Sequence, residues 1–319
     1  MIQVEHLNKQ FTYRKKELGM RGTFHDFLHP VMESKQAVSD VTFSVGEGEC
    51  VGFIGPNGAG KTTTLKMLSG ILYPTSGAAS VCGYTPWERK TDFKRRISIV
   101  LGQKNQLWWD LPANESLYLN KCIYDIDDVE YERNLNELCE MLNVRDLLTV
   151  QVRNLSLGER MKMELVAALI HKPKVLFLDE PTIGLDLIAQ KNIRDFLKYY
   201  NETDKTTIIL TSHYLEDIEN LCQRTIVINH GRIMYDGKLN GVNEKLQKKK
   251  IVRLEISGDS QISDCGMWKV RKREQDCWTL EIDQEDSRRV MMELLEKYPV
   301  RDFSISNVPL EESLEHLYQ

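Results

Sequence analysis

The stretch Gly55-Pro-Asn-Gly-Ala-Gly-Lys-Thr62 decides the fold, because it matches the pattern G-x-x-x-x-G-K-[ST] at every position. An apolar run at 50–54 precedes it and a helix is predicted over 61–72, which is the context that a phosphate-binding loop requires. Its glycines let successive backbone N–H groups turn inward around a phosphate, and the helix dipole adds positive potential there. The stretch therefore predicts an α/β domain that binds a nucleotide.

The residues of this loop have different expected roles. Lys61 can reach the β- and γ-phosphates of a nucleoside triphosphate, and the Thr62 hydroxyl can bind Mg²⁺. The residues expected around the nucleotide are Gly55, Asn57, Gly58, Ala59, Gly60, Lys61, Thr62 and Thr63.

A second motif follows ~120 residues later, where the apolar run 175–178 leads into Asp179 and Glu180. Four consecutive apolar residues indicate a buried strand, whose end would present Asp179 to the Mg²⁺ shell. Glu180 is the predicted general base for the attacking water. Together the two motifs predict a nucleoside triphosphatase.

The rest of the chain divides into two predicted domains, 1–237 and 238–319. The first alternates strands with helices, which indicates a largely parallel sheet, and it is expected to be helical from about 113 to 171. The second reads as a small α+β domain. Segment 14–35 reads as an insertion. Within 36–54, Gly46 and Gly48 are predicted to make a turn between a strand that includes 41–45 and a strand at 50–54. Further strands are predicted at 1–13, 97–101, 207–210, 225–229, 232–235, 251–256, 278–282 and 302–305, and further helices at 214–222 and 286–297.

Composition excludes several classes of protein. The formal net charge of −5 argues against a dedicated nucleic-acid binder. No apolar run approaches the ~20 residues of a membrane-spanning helix, and the first residues lack the pattern of a signal peptide. Seven cysteines without a CxxC pair indicate reduced thiols and argue against a disulfide framework or a zinc site.

Two motifs near Asp179 resemble those of the ABC ATPases. The pentapeptide Leu155-Ser-Leu-Gly-Glu159 resembles the LSGGQ signature and lies just before the Asp179 strand, as it does in that family. Asp186, in Ile183-Gly-Leu-Asp186, resembles the aspartate of the family's D-loop.

Three single residues extend the resemblance, which covers residues from about 2 to 237. Gln103 lies eight residues before Leu111, as the Q-loop glutamine does, and His213 resembles the switch histidine. Phe11 resembles the aromatic residue that stacks on adenine, with Tyr13 as a rival. Gln106 is a rival for the Q-loop role.

The resemblance implies a P-loop ABC cassette with an antiparallel β subdomain and a helical subdomain at about 104–170. It implies that ATP and Mg²⁺ are the cofactors, with Gln103 as a metal ligand beside Thr62 and Asp179. Gln103 and His213 would then act in catalysis together with Lys61 and Glu180.

The resemblance also implies a head-to-tail dimer with two ATP molecules between the copies. The phosphate loop by itself leaves the far side of the γ-phosphate without a donor. Ser156 and Gly158 at a helix N-terminus supply such a donor, and they would act on the ATP of the second copy. Asp186 is also expected among the residues around the nucleotide. Leu157 and Glu159 depart from the family's Gly and Gln, while Ser156 and Gly158 keep the residues that contact phosphate.

Longer stretches resemble the ATPases of ABC-2 type exporters, in the branch of drug and viologen exporters. The stretches that carry this resemblance are 155–160, 176–186, 211–219, 309–318 and the 14–35 insertion. It implies separately encoded permease subunits, outward transport and a peripheral position on the cytoplasmic face of the membrane. The alternatives are the ATPase of an importer and an ATP-binding regulator without turnover, against which Glu180 counts.

Three other features suggest contacts with partners. Trp108 and Trp109 are adjacent, so both cannot point into one helical core, and at least one could meet a permease. In the insertion, residues 24, 27 and 28 lie on one face of a predicted short helix. In the tail, residues 310, 314 and 317 do the same.

Overall fold

The structure is a computed structural model that describes residues 1–14, 32–102, 104–212, 214–239, 249–257, 261–274 and 276–308. Gln103, His213, most of the 14–35 insertion and the tail from 309 onward lie outside the described residues. The chain divides into two compact units, Met1–Asp236 and Gly237–Gln319. None of the helices within the described ranges is long and apolar enough to cross a membrane.

A six-stranded sheet forms the core of the first unit. Its strands are β3 (Cys50–Ile54), β5 (Ile97–Leu101), β6 (Val175–Asp179), β7 (Thr207–Thr211), β8 (Arg224–Asn229) and β9 (Arg232–Gly237). Their order is β5-β6-β7-β3-β8-β9, and the pairs among β5, β6, β7, β3 and β8 are parallel. Every residue of β3, β6 and β7 is buried, as expected for strands covered on both faces. The predicted parallel sheet is confirmed.

A three-stranded antiparallel sheet accompanies this core. It contains β1 (Ile2–Arg14), β2 (Met32–Val45) and β4 (Ser76–Val81), in the order β2-β1-β4. The turn predicted at Gly46 and Gly48 is confirmed, because Gly48 has φ 70° and the turn separates β2 from β3. Strand β4 was missed, since its sequence Ser-Gly-Ala-Ala-Ser-Val has few residues that favour strands.

The helices of the first unit pack beside the sheets. They are α1 (Lys61–Leu68), α2 (Thr91–Arg96), α3 (Ala113–Tyr124), α4 (Asp128–Leu142), α5 (Leu157–Leu169), α6 (Leu187–Asp204) and α7 (Leu215–Leu221). Helix α1 is shorter than predicted because Gly70 turns left-handed, with φ 75°, against the Pro86 carbonyl. The region predicted as helical is broken after α3 and α4 by Asp125 and Asn143, whose positive φ angles end both helices.

The second unit has an antiparallel sheet with one helix on it. Strands β10 (Lys249–Ile256), β11 (Trp268–Glu274), β12 (Cys277–Asp283) and β13 (Val300–Asn307) lie in the order β11-β12-β10-β13, and helix α8 spans Ser287–Lys297. Alternate residues of β10 and β12 form its core with Val290, Met291 and Leu294 of α8. Strand β11 was missed because, of its residues, only Trp268 is buried and five others are charged.

Candidate nucleotide-binding site

Two glycines of the phosphate loop occupy positions that no other residue could fill without moving the backbone. A Cβ on Gly55 would lie 2.1 Å from the Ile228 carbonyl oxygen, and one on Gly60 would lie 2.6 Å from the Ala37 oxygen. Gly60 also has φ 112°, which L-residues rarely adopt. The loop is therefore pressed between β8 and β2, which leaves its exposed side, at Asn57 and Gly58, for a ligand.

Lys61 is buried at the start of α1, with its side chain folded into the loop. Its ammonium donates to the carbonyl oxygens of Gly55, at 2.7 Å, and Pro56, at 3.2 Å. Burial lowers the pKa of Lys61, while the carboxylates of Glu180 and Asp179 act in the opposite direction. An anionic ligand that approaches this ammonium binds favourably, because a buried charge is stabilised by a partner of opposite sign.

Asp179 and Thr62 meet although they lie 117 positions apart in the sequence. The Thr62 hydroxyl donates to the Asp179 carboxylate at 2.8 Å, and the Thr211 hydroxyl donates to the other oxygen at 2.7 Å. A hydroxyl and a carboxylate are oxygen ligands of the kind that Mg²⁺ prefers. Thr211 was not predicted for the site, and only the pairing of β7 with β6 brings it there.

Glu180 follows directly at the end of β6 in a left-handed conformation, with φ 56°. Its backbone N–H donates to the Thr211 carbonyl at 3.0 Å, so the turn is held against β7. Gly102 lies on the other side of this turn, where a Cβ would come within 2.5 Å of the backbone carbonyl oxygen of Glu180. A cavity of about 150 Å³ opens here, with Thr62, Asp179 and Glu180 on its wall.

The signature residues form the first turn of α5. Ser156 is the N-cap, and its hydroxyl oxygen accepts the N–H of Glu159 at 3.3 Å, while the Glu159 carboxylate accepts the N–H of Ser156 at 2.9 Å. These two bonds make a capping box. The Ser156 side chain lowers the pKa of Glu159, so the hydroxyl lies beside an ionised carboxylate. Ser156 itself is exposed.

The first turns of α5 and α6 pack against each other. A Cβ on Gly158 would lie 3.1 Å from that of Ala189, and one on Gly184 would lie 3.3 Å from Leu157. Asp186 is the N-cap of α6 and accepts the N–H of Ala189 at 2.9 Å. The departure at Leu157 is therefore accommodated, because its side chain rests on a glycine that leaves room for it.

The two aromatic candidates for adenine stacking lie on one face of β1, and both are exposed. The ammonium of Lys9 lies 5.2 Å from the ring centre of Phe11, and the Tyr13 hydroxyl donates to Glu33 at 3.1 Å. Adenine stacking by either ring stays a prediction. Gln106 uses its side-chain amide to donate to the Ile99 carbonyl at 2.9 Å, which engages it within β5.

A buried network that the sequence did not reveal supports the turns around the site. Asp217, in α7, accepts hydrogen bonds from the hydroxyls of Thr182 and Ser212 and forms an ion pair with Arg194 at 3.0 Å. Thr182 follows Glu180 by two residues and Ser212 follows β7. Asp217 is one of three acidic residues in α7, and nothing in the sequence distinguishes it from Glu216 and Glu219.

The chain is similar to several known proteins. Residues 38–183 match the ABC transporter family model. The ABC transporter ATP-binding protein NatA of Bacillus subtilis is 34% identical over 209 residues, which are 66% of this chain and 85% of NatA. The linearmycin resistance ATP-binding protein LnrL of the same organism is 34% identical over 224 residues, 70% of this chain and 71% of LnrL. A Nod factor export ATP-binding protein I of Cupriavidus pinatubonensis is 37% identical over 63% of this chain and 61% of that protein.

Solved structures show the same fold. An ATP-binding subunit of an ABC transporter superposes with a TM-score of 0.63 at 26% identity, over 76% of this chain and 92% of that one. A dimeric bacterial ABC transporter cassette superposes with a TM-score of 0.62 at 23% identity, over 75% of this chain and 98% of that one. Cassettes of this family work in general as dimers with membrane permeases. The chain belongs to the ABC transporter family, as an ATP-binding and ATP-hydrolysing subunit.

Proposed function

We propose that this chain pairs head to tail with a second copy of itself and hydrolyses ATP with Mg²⁺ to drive a separately encoded ABC-2 type permease for export. The observation that carries the proposal is the cluster at the end of β6. There the Thr62 hydroxyl and the Asp179 carboxylate meet at 2.8 Å, beside the buried ammonium of Lys61 and the carboxylate of Glu180.

The residues at this cluster fit Mg²⁺. Thr62 and Asp179 would hold the ion, which when bound neutralises charge on the β- and γ-phosphates. The loop N–H groups and Lys61 bind the phosphates and stabilise the charge that develops on them during transfer. Glu180 takes a proton from the water that attacks the γ-phosphate. Gln103 as a metal ligand and His213 as a catalytic residue belong to the proposal on sequence grounds alone.

The second copy supplies the remaining contacts. Ser156 and Gly158 lie at the exposed N-terminal turn of a helix whose dipole favours an anion, and Asp186 lies at the neighbouring turn. Exposed apolar side chains surround these turns at Leu157, Leu187 and Ile188. An exposed anion-binding turn with an apolar border suits a contact with another protein surface better than with water.

Export and a membrane partner are supported by the relatives and by one surface. The names of two relatives refer to Nod factor export and to linearmycin resistance, which favours an exporter over an importer. Trp108, Trp109 and Leu111 are all exposed in the segment after β5, where a permease could contact them. We place the chain at the cytoplasmic face of the membrane, attached through the permease and without a role in nucleic-acid binding.

The second unit is proposed to support the dimer and to take no part in chemistry. Its described residues hold no group of three or more acidic, histidine or cysteine side chains that could bind a metal ion. We place the domain boundary at 237/238 and keep the whole nucleotide site in the first domain.

Mixing two inactive variants tests the composite site. In a dimer of Lys61→Ala with Ser156→Arg, one site carries both defects and the other carries neither, so the mixture should regain ATPase activity that neither variant has alone. The matched control mixes Lys61→Ala with Glu180→Gln. Those two residues belong to the same half of a site, so each composite site carries one defect and no activity should return. Absence of recovery in the first mixture, with mixed dimers shown to form, contradicts contact in trans.

A further inference from the structure

Glu164 is a buried carboxylate for which ATP hydrolysis has no direct use. It lies about two helical turns after Ser156 on α5, and its side chain is only 3% exposed. Its oxygens accept the backbone N–H of Gln106 at 2.9 and 3.1 Å and that of Leu107 at 3.4 Å. The signature helix therefore holds the backbone of a segment some 57 positions away in the sequence.

Burying a carboxylate between a helix and a neighbouring segment costs free energy. Burial raises the pKa of Glu164, and the two backbone N–H groups and Arg160 oppose that rise. Carboxylates are rarely buried without a partner because desolvation disfavours the charged form, and an apolar side chain would fill the same space at lower cost. What the carboxylate adds is a set of directional hydrogen bonds, so its role lies in fixing the position of the backbone at 106 and 107.

The segment that it holds carries the exposed tryptophans. Trp108 and Trp109 are 59% and 46% exposed, and they follow immediately after the buried Leu107. Arg160 of α5 lies with its guanidinium 5.2 Å from the ring centre of Trp109. Since Arg160 and Glu164 are four residues apart, they lie on one face of α5 and hold the tryptophan segment at two points.

The helix between Glu164 and Ser156 is a rigid connection as well. Between Glu164 and Ser156 the backbone is one uninterrupted α-helix that begins with the capping box. A helix transmits displacement along its axis because its i to i−4 backbone hydrogen bonds join each turn to the next. Hydrogen bonds from two backbone N–H groups, a cation–π contact and a capped helix thus join the tryptophan segment to the Ser156 hydroxyl.

We propose that Glu164 is a positioning residue that makes the tryptophan segment and the signature turn move as one body. Contact of a membrane partner with Trp108 and Trp109 then changes the position of Ser156. The inference rests on the proposed function, in which Ser156 contacts the ATP of the second copy. Because energetic coupling between sites is reciprocal, ATP binding must also change the tryptophan segment. That reverse effect can be measured on the purified chain without its permease.

Hydrogen–deuterium exchange measures it. With the full chain carrying Glu180→Gln, so that ATP is bound and not consumed, ATP with Mg²⁺ should slow exchange in a peptide covering 105–111 by about fivefold or more, the lower end of typical coupling. Adding Glu164→Leu should remove this response. Glu164→Gln keeps one carbonyl acceptor and should retain only part of it, and it decides the question if the leucine variant fails to fold.

The matched control is Lys162→Met. Lys162 lies on the same helix but holds α4, donating to the Leu142 carbonyl at 3.0 Å, so its loss should leave the response of the tryptophan segment unchanged. A response that survives in folded Glu164→Leu, or that is equally lost in Lys162→Met, overturns the proposal. So does an ATP-dimerised protein whose segment 105–111 does not respond at all. Size-exclusion chromatography run in parallel separates the two ideas, because failure to dimerise with ATP contradicts the proposed function itself.

Discussion

The phosphate loop and the signature turn are built in opposite ways, although both lie at the N-terminus of a helix. The loop is closed off by its surroundings, since Gly55 and Gly60 touch neighbouring backbone and Lys61 is buried. The signature turn is exposed and held locally, by a box of two hydrogen bonds between Ser156 and Glu159. Within one chain, the half of the site that contains the phosphate loop is thus complete, and it is the completed half. The signature turn lies exposed on the surface, and it is the presented half.

The largest expected effect comes from a substitution in the completed half. Glu180→Gln keeps the shape of the turn but cannot accept a proton, so turnover at saturating ATP should fall by about 100-fold or more. Phosphate release measures turnover, and nucleotide affinity should remain close to that of the wild type. Glu202→Gln makes the same chemical change at an exposed position of α6 and should have no effect. A Glu180→Gln variant with near-normal turnover would show that another group is the base.

A smaller effect, which should separate two variants of Glu159, tests the presented half. Glu159→Ala removes the capping box, at a cost of about 1 kcal/mol, and should weaken ATP-driven dimerisation by up to about tenfold. Glu159→Gln keeps an acceptor for the Ser156 N–H but removes the negative charge that competes with phosphate for the hydroxyl. It should dimerise as tightly as the wild type or more tightly.

Analytical ultracentrifugation across ATP concentrations, in the Glu180→Gln background, measures both variants. Equal weakening by alanine and glutamine would mean that the charge of Glu159 itself favours the dimer.

The smallest effect concerns stability and lies away from both halves. His171, just after α5, stacks on Tyr124 with ring centres 3.7 Å apart, and its Nε2 lies 3.2 Å from the Ile97 carbonyl oxygen. Burial lowers its pKa from 6.5 to about 4. The unfolded chain therefore binds a proton at higher pH than the folded one does, so stability is lost as the pH falls from about 6.5 towards 4.

Urea unfolding monitored by circular dichroism measures this dependence. Between about pH 7.5 and pH 5, His171 should cost the folded state about 2 kcal/mol. His171→Phe keeps the aromatic stacking and removes the titration, so the variant should lose less stability than the wild type over the same interval. Parallel losses in the two proteins would rule out His171 as the source.

Local sequence patterns predicted those strands and helices whose own residues form an apolar run or repeat at helical spacing. The apolar runs that became β3, β6 and β7 and the helical spacing of Tyr131, Leu135, Leu138 and Leu142 in α4 were predicted, and those four side chains are buried. Helix α6 was missed entirely, although it spans Leu187–Asp204. Its first residues, Leu187 and Ile188, are exposed apolar side chains, so the pattern of burial at its start is obscured.

The sequence by itself determined the phosphate loop, the Asp179–Glu180 strand end and the membership of an ATPase family, because these depend on residue types at fixed short spacings. Tertiary structure alone decided which distant groups support them. Thr211 reaches Asp179 through strand pairing, Asp217 joins the turns after Glu180 and β7, and Glu164 holds the backbone before Trp108. Each of these is a single polar residue in an ordinary helix or strand. Its role arises from the partner that folding places beside it, and no spacing along the chain encodes that partner.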